Sequence, residues 1–214
     1  MESKQWFTRT AALALVLSTC ACVLSVDEVV PASRATFDAR LVGSWISADS
    51  TETAVIARGD SGAYAIDYTK RASTGGGVVE DGKTGHFEAR LGTLGAHQVL
   101  DVWPTPRDHE IPSAYDGAFI AGHILLVLDI RADSFVTRAL EPDTLFKALR
   151  AGRIRAPYSG SKDQVILRGS TQQVRALLVP YLAQAGVLTE ANVFHRVRAS
   201  TAGAPPVAER LKNQ

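Results

Sequence analysis

The stretch HFEARLGTLGAHQVLDVW, residues 86–103, alternates apolar and polar side chains on both sides of two glycines. Every second residue from Phe87 to Leu91 is apolar, and the residues between them are charged. This alternation predicts strands that bury one face, and Gly92 and Gly95 supply the break between two such strands. We therefore predict an antiparallel hairpin over these residues and a β-rich protein around it.

The same period of two recurs on both sides of this hairpin. Tyr64, Ile66 and Tyr68 fall on one face of an earlier segment. Residues 123–128 are a nearly continuous apolar run, which is typical of a central strand buried on both faces. Residues 134–140 follow after a short turn and are expected to be its hairpin partner. About seven strands are expected in all, and consecutive hairpins favour antiparallel pairing.

The periodicity becomes helical in the last third of the chain. Pro142 opens a short helix that Gly152 can close, because proline is tolerated in a first turn and glycine ends helices. Ser170 and Gln173 have the spacing of a capping box, which predicts a second helix that ends at Gly186. The expected fold class is α+β, with mostly antiparallel β-sheet or a partly closed barrel and two helices late in the chain.

Composition excludes several classes of protein. Of the 214 residues, 46% are hydrophobic and 21% are charged, which is ordinary for one globular domain and excludes a wholly disordered chain. The net charge of +1 argues against a dedicated nucleic-acid binder, since binding phosphates needs an excess of lysine and arginine. Both cysteines lie near the N-terminus, so the body has no disulfide framework and no cysteine-based metal site.

The N-terminal segment has the pattern of a secretion signal over residues 1–21. A weakly positive start precedes the apolar residues 11–17, and small residues follow up to the cysteines. The segment resembles the signal of bacterial lipoproteins, in which a cysteine becomes the lipidated first residue of the mature chain. We expect lipidation of Cys22, with Cys20 as the alternative, because Ala21 is the small residue that cleavage needs. A membrane-spanning anchor is less favoured, since the apolar run is shorter than the roughly 20 residues of a span.

The first residues of the body carry a second resemblance. Gly43 and Trp45 are similar to the Gly-x-Trp opening of lipocalin-type barrels. With the signal, residues 122–127 and the helix start at Pro142, they resemble uncharacterised bacterial lipoproteins. The resemblance implies a lipocalin-like barrel anchored by lipid in the bacterial cell envelope, facing the periplasm or the cell surface, and it brings no activity. Trp45 is expected to close one end of the core, with Gly43 letting the backbone pass close beneath it; the alternative is an exposed Trp45 that faces the membrane.

The chain is accordingly divided into four parts. Residues 1–21 are the signal peptide, residues 22–40 are expected to form a tether, and residues 41–198 form a single β-rich domain. Residues 199–214 contain two consecutive prolines and are expected to be a disordered tail.

Residues 77–84 match the letters of a nucleotide-binding P-loop, but their surroundings do not support that chemistry. A P-loop follows a buried strand and opens a helix, so that backbone N–H groups face the phosphates. Here a polar, glycine-rich stretch precedes the motif and an alternating segment follows it. Glu80 and Asp81 would also place carboxylates beside the phosphates. We therefore expect no nucleotide binding.

No other motif predicts catalysis, a metal or a cofactor. The five histidines show no metal-type spacing, and His109 between Asp108 and Glu110 is expected on a solvated loop. The sequence has no Gly-x-Ser-x-Gly elbow and no cysteine in its body to act as a nucleophile. Asp101 near Trp103 could line a carbohydrate site, but acidic and aromatic neighbours of this kind are common at strand edges.

These observations favour a membrane-anchored envelope lipoprotein that is not an enzyme. Its barrel is expected to bind an apolar small molecule or an envelope protein partner. An envelope hydrolase and a purely structural envelope protein are the alternatives. The three differ in their interiors: a binding barrel leaves an apolar cavity, an enzyme needs convergent ionisable groups, and a structural barrel is filled by its own side chains.

Overall fold

The computed structural model describes residues 22–73, 79–80, 84–105 and 122–198. Residues 1–21, including Cys20, and residues 199–214 lie outside these ranges, so the predicted signal peptide and the predicted tail stay predictions. The same holds for most of the P-loop-like stretch and for the acidic and histidine side chains at 108–110.

The described residues form thirteen strands and two α-helices. In chain order the strands are β1 (Cys22–Ser25), β2 (Gly43–Ser47), β3 (Glu52–Arg58), β4 (Tyr64–Lys70), β5 (Ala72–Ser73), β6 (Val79–Glu80), β7 (Thr84–Leu94), β8 (His97–Pro104), β9 (His123–Ile130), β10 (Ser134–Ala139), β11 (Tyr158–Gly160), β12 (Gln164–Leu167) and β13 (Asn192–Arg196). The helices are α1 (Pro142–Arg150) and α2 (Thr171–Leu182), and short 3₁₀ helices occupy Ala32–Arg34, Ala39–Leu41 and Asp60–Gly62.

Eight of the strands form a closed antiparallel barrel in the order β10-β13-β2-β3-β4-β7-β8-β9. The barrel closes because β9 also pairs with β10, where Phe135 lies opposite Ile130. Inward-facing side chains from all eight strands pack its interior, among them Trp45, Leu100 and Phe194. The predicted α+β fold, an antiparallel lipocalin-like barrel with two late helices, is confirmed, and the barrel is closed rather than partly open.

Strand β9 is buried on both faces, as its apolar sequence predicts. Leu128 and Ile130 belong to the barrel core, whereas Leu125 and Val127 belong to a second core outside the barrel wall. The alternation of a strand explains this division, because successive side chains leave opposite faces. Strand β9 is therefore a wall shared by two hydrophobic cores.

Two helices and three strands enclose the second core. Strand β1 pairs antiparallel with the start of β9 and parallel with β12, and β11 pairs with β12. Leu145 of α1 and Leu178 of α2 are fully buried in this core. The capping box of α2 is present as predicted, because the Ser170 hydroxyl accepts from the Gln173 amide and the Gln173 side chain accepts from the Ser170 amide.

The tether expected over residues 22–40 is part of the folded domain instead. Its first residues are strand β1, and Val23, Val29 and Val30 are buried in the second core. The 3₁₀ helix Ala39–Leu41 then covers one end of the barrel before β2 begins. Short apolar pieces around a proline resemble a linker in sequence, and only contacts with distant strands make them part of the domain.

Tyr181 of α2 is buried in the second core, and its hydroxyl has no hydrogen-bond partner among the described residues. Removing this hydroxyl in Tyr181→Phe is expected to raise the free energy of unfolding by about 1 kcal/mol. Burial also raises the pKa of Tyr181 to about 12 from 10.0. Because the folded protein binds the phenol proton more tightly than the unfolded chain does, the pKa shift adds a separate contribution to the free energy of unfolding. This contribution is fully present at neutral pH and is lost as the pH rises from 10 to 12.

Urea unfolding of the wild type and Tyr181→Phe in steps from neutral to alkaline pH measures both effects. Between pH 10 and 12 the free energy of unfolding of the wild type is expected to fall by about 2 kcal/mol more than that of Tyr181→Phe. Tyr64→Phe is the matched control, because the Tyr64 hydroxyl accepts from the Asp38 N–H at 2.7 Å and its removal should destabilise the fold. A Tyr181→Phe protein that unfolds at lower urea than the wild type at pH 7 would contradict this account.

Candidate functional site

One end of the barrel is closed by a stack built on Trp45. The indole is fully buried, and its Nε1 donates to the Leu41 carbonyl at 2.8 Å. The Arg196 guanidinium lies 4.2 Å from the indole ring centroid and donates to the carbonyls of Val42 and Arg40. Trp45 therefore lies inside the core, and the alternative of an exposed Trp45 is wrong. We call Trp45 and Arg196 the plug.

Gly43 makes the plug possible. Its φ of +142° is a conformation that residues with side chains rarely adopt, and an added Cβ would overlap the Arg196 Nη1 atom. The group that lies close to Gly43 is thus the side chain of Arg196 on β13, and not a stretch of backbone as the sequence predicted. Tyr64 seals the same end, because its ring stacks on Phe37 with centroids 5.1 Å apart.

The opposite end of the barrel presents apolar side chains that are only half-buried. Tyr68 of β4 and Phe87 of β7 lie edge to face with ring centroids 6.5 Å apart. Leu126 of β9 also packs against the barrel core while half-exposed. We call Tyr68, Phe87 and Leu126 the mouth. The connections between β4 and β7 and between β8 and β9 leave the barrel at this end and lie largely outside the described residues.

The rim of the mouth also carries a polar pair. Asn192, the first residue of β13, donates from Nδ2 to the Glu52 Oε2 atom at 2.7 Å. Glu52 begins β3 and lies opposite Lys70, the last residue of β4, so the pair lies at the same end of the barrel as Tyr68. An apolar wall with a polar rim is the chemistry of a site for a largely apolar molecule with one polar end.

A buried carboxylate holds the N-terminal segment against the outer face of the barrel. Asp101 of β8 is fully buried, and its Oδ2 accepts from the backbone N–H groups of Val29 and Val30 at 2.6 and 2.8 Å. Its Oδ1 lies 2.9 Å from Nδ1 of His123 on β9. Three polar partners satisfy a carboxylate that would be very unfavourable if buried alone. We call Asp101 and its three partners the clamp.

Two arginines hold the same segment. Arg90 of β7 forms an ion pair with Glu28. Arg175 of α2 donates to the carbonyls of Val29 and Thr93 at 2.8 and 2.9 Å. The backbone on both sides of the clamp is therefore fixed to the barrel wall and to α2, and Asp101 is closed off from any carbohydrate.

Ser25, His123 and Asp101 have the residue types of a nucleophilic triad, and Ser25 lies opposite His123 between β1 and β9. The Ser25 hydroxyl is buried, however, and makes no hydrogen bond to His123 or to any other described residue. A nucleophile needs a hydrogen bond to its base and access for a substrate. Asp101 therefore secures the N-terminal segment with His123 beside it, and the Ser25 hydroxyl is not placed to act as a nucleophile in this structure.

Ionisable groups elsewhere in the described chain do not gather into a metal site. No group of three or more candidate metal ligands occurs among the described residues. His86 lies on the outside of the barrel, 2.6 Å from Asp67. Near the plug, the Arg40 guanidinium lowers the pKa of Asp38, and burial raises the pKa of Tyr64.

No protein-family model, curated protein or solved structure matches the chain. None of the helices in the described ranges is long and apolar enough to span a membrane. Sequence reasoning singled out Gly43 and Trp45 but missed the clamp. One feature of the sequence pointed to the clamp. Asp101 interrupts an otherwise apolar strand, and a carboxylate is tolerated in a buried strand only when hydrogen-bond donors surround it.

Proposed function

We propose that the chain is a lipid-anchored protein of the bacterial cell envelope whose barrel binds an apolar small molecule at the mouth. The observation that carries this proposal is the asymmetry of the barrel. Trp45 and Arg196 plug one end, whereas Tyr68, Phe87 and Leu126 are only partly buried at the other. Partly exposed apolar side chains that pack against a barrel core favour contact with a ligand over contact with bulk water.

The size of the barrel fits a small ligand. A barrel of eight strands is just wide enough to be filled by its own side chains or to hold one small molecule. Near the plug aromatic side chains occupy the interior, because Phe135 packs edge-on against Trp45 at 4.8 Å between centroids and stacks on Phe194 at 4.9 Å. The ligand would therefore occupy only the half of the barrel that the mouth residues line.

The anchor proposed on Cys22 would begin directly at the folded domain. Cys22 is the first residue of β1, and its Sγ lies 3.9 Å from Nε2 of Gln164 on β12. The next residue, Val23, is already buried in the second core. A lipid on Cys22 would thus hold the barrel close to the membrane, and stable attachment would need more than one acyl chain.

A fluorescent apolar probe, N-phenyl-1-naphthylamine, tests binding at the mouth. We expect it to bind the wild type and to bind Phe87→Ser about tenfold more weakly, since the variant removes most of one aromatic face. Val55→Ser is the control, because Val55 is 49% exposed on the outside of β3. Equal probe affinity in both variants and the wild type would contradict binding at the mouth.

Radiolabelled fatty acid tests the anchor independently of the ligand. Label is expected in the wild type and in Cys20→Ser, and it should be absent from Cys22→Ser. Incorporation that depends on Cys20 alone would move the anchor to the alternative residue. Label that persists in the variant carrying both Cys20→Ser and Cys22→Ser would contradict the proposed lipid anchor. It would not bear on ligand binding at the mouth.

A further inference from the structure

A groove on the outside of the barrel is lined by two arginines, Arg34 and Arg175, that have no acidic partner among the described residues. The groove lies between α2 and the 3₁₀ helix Ala32–Arg34 and has a volume of about 600 Å³. Arg34 enters it from one side and Arg175 from the other. Within the part of the chain that the structure describes, neither guanidinium forms an ion pair.

Arg175 is held in the groove and cannot relax away from Arg34. Its two terminal nitrogens donate to the carbonyls of Val29 and Thr93, on the clamped segment and on β7. Burial and, as the second cause, the positive charge of Arg34 lower the pKa of Arg175. The charge of Arg34 therefore acts unfavourably on the fixed guanidinium of Arg175, and an anion bound between the two would offset that repulsion.

The first turn of α2 adds backbone donors to the same groove. Thr171 and Gln172 line it, while the Ser170 hydroxyl accepts only from the Gln173 amide. The amides of a first helical turn have no partner within the helix, and the positive end of the helix dipole favours an anion there. The two arginines and the first residues of α2 thus line the same groove.

The far end of the groove is apolar. Ala176 and Val179 follow Arg175 along the same side of α2, and Val179 is 40% exposed. An anion bound between the arginines would therefore lie beside an apolar surface. An inorganic ion would leave this surface exposed to water, whereas an apolar chain attached to the anion would cover it. This arrangement suits a molecule with a charged head and an apolar chain.

We propose that this groove binds a phosphate group attached to an apolar chain, either as a soluble amphiphile or as a phospholipid headgroup. Arg34 and Arg175 would pair with the phosphate oxygens, and Ala176 and Val179 would contact the first part of the chain. The site lies outside the barrel and depends neither on the mouth nor on the lipid anchor.

Calorimetric titration with decyl phosphate at low salt tests the site in the wild type, Arg34→Gln and Arg138→Gln. Arg34 is exposed, and its side chain forms no hydrogen bond among the described residues, so Arg34→Gln should fold normally. Losing one charged donor should weaken binding of decyl phosphate about tenfold or more.

Arg138→Gln is the control for charge. It makes the same charge change on β10, where Arg138 is exposed, and should bind decyl phosphate like the wild type. Phe87→Ser should also bind like the wild type, which separates the groove from the mouth.

Sedimentation with phosphatidylglycerol vesicles distinguishes the two sources of the phosphate. Vesicle binding that is lost in Arg34→Gln identifies a membrane headgroup, and binding of decyl phosphate alone identifies a soluble amphiphile. The proposal is overturned if the wild type binds neither, or if Arg34→Gln binds both as well as the wild type does.

Discussion

Trp45→Ala is expected to lower the free energy of unfolding by about 3–5 kcal/mol, the usual cost of removing a buried tryptophan. Trp45 is fully buried, it donates a hydrogen bond to Leu41, and it packs edge-on against Phe135. Its loss would also leave the Arg196 guanidinium at the barrel end without the indole face on which it lies. Such a loss is a large share of a total stability near 5–15 kcal/mol.

Trp103→Ala is the matched control for Trp45→Ala. Trp103 is the second-last residue of β8 and is half-buried, with its ring beside the guanidinium of Arg90 and the imidazole of His123. Its removal should cost about 1–2 kcal/mol, because its surroundings are partly solvated. If Trp45→Ala does not fold, Trp45→Phe keeps most of the apolar volume and should lose about 1–2 kcal/mol with the Nε1 hydrogen bond. Equal urea midpoints for Trp45→Phe, Trp45→Ala and the wild type would exclude Trp45 from the core.

Asp101→Ala is the second change with a large expected effect, about 3–5 kcal/mol of unfolding free energy. The change leaves the amides of Val29 and Val30 buried without an acceptor, and it removes the group beside Nδ1 of His123. Each orphaned donor costs about 1–3 kcal/mol, and the small alanine also leaves a gap in the wall.

Amide hydrogen exchange shows whether the loss acts through the clamp. In Asp101→Ala, exchange at Val29 and Val30 should become much faster, while exchange within the barrel strands should follow the global stability. Asp129→Ala removes an aspartate from the neighbouring β9 whose side chain is 55% exposed and whose one ion-pair partner within the described ranges is Arg131. This control should cost about 0–1 kcal/mol and leave the Val29 and Val30 amides protected. Unchanged protection of these amides in Asp101→Ala would contradict the clamp.

Local patterns were sufficient to predict most of the barrel. The alternation of residues 86–103 gives β7 and β8, and the doubly apolar run at 123–128 lies in β9, the wall between two cores. The helix starts at Pro142 and after Ser170 follow from capping and proline geometry. These elements depend on contacts between neighbours in sequence, and periodicity reports such contacts directly.

The N-terminal segment could not be predicted in the same way. Strand β1 is short, its parallel partner β12 lies more than a hundred residues away, and its apolar residues continue the apolar run of the predicted signal peptide. Val29 and Val30 are buried because Asp101 binds their amides from β8. The groove between Arg34 and Arg175 likewise joins two segments that are far apart in the chain. No local period reports a contact of this kind.

The central claim is that the barrel is a binding site with one closed and one open end, and native mass spectrometry tests it most directly. The chain would be produced in a bacterium, isolated from the membrane fraction and measured before and after extraction with organic solvent. We expect one apolar molecule per chain, removed by extraction and much depleted in Phe87→Ser relative to Val55→Ser. A wild-type spectrum that shows only the mass of the chain and its attached lipid would contradict the claim and favour a barrel filled by its own side chains.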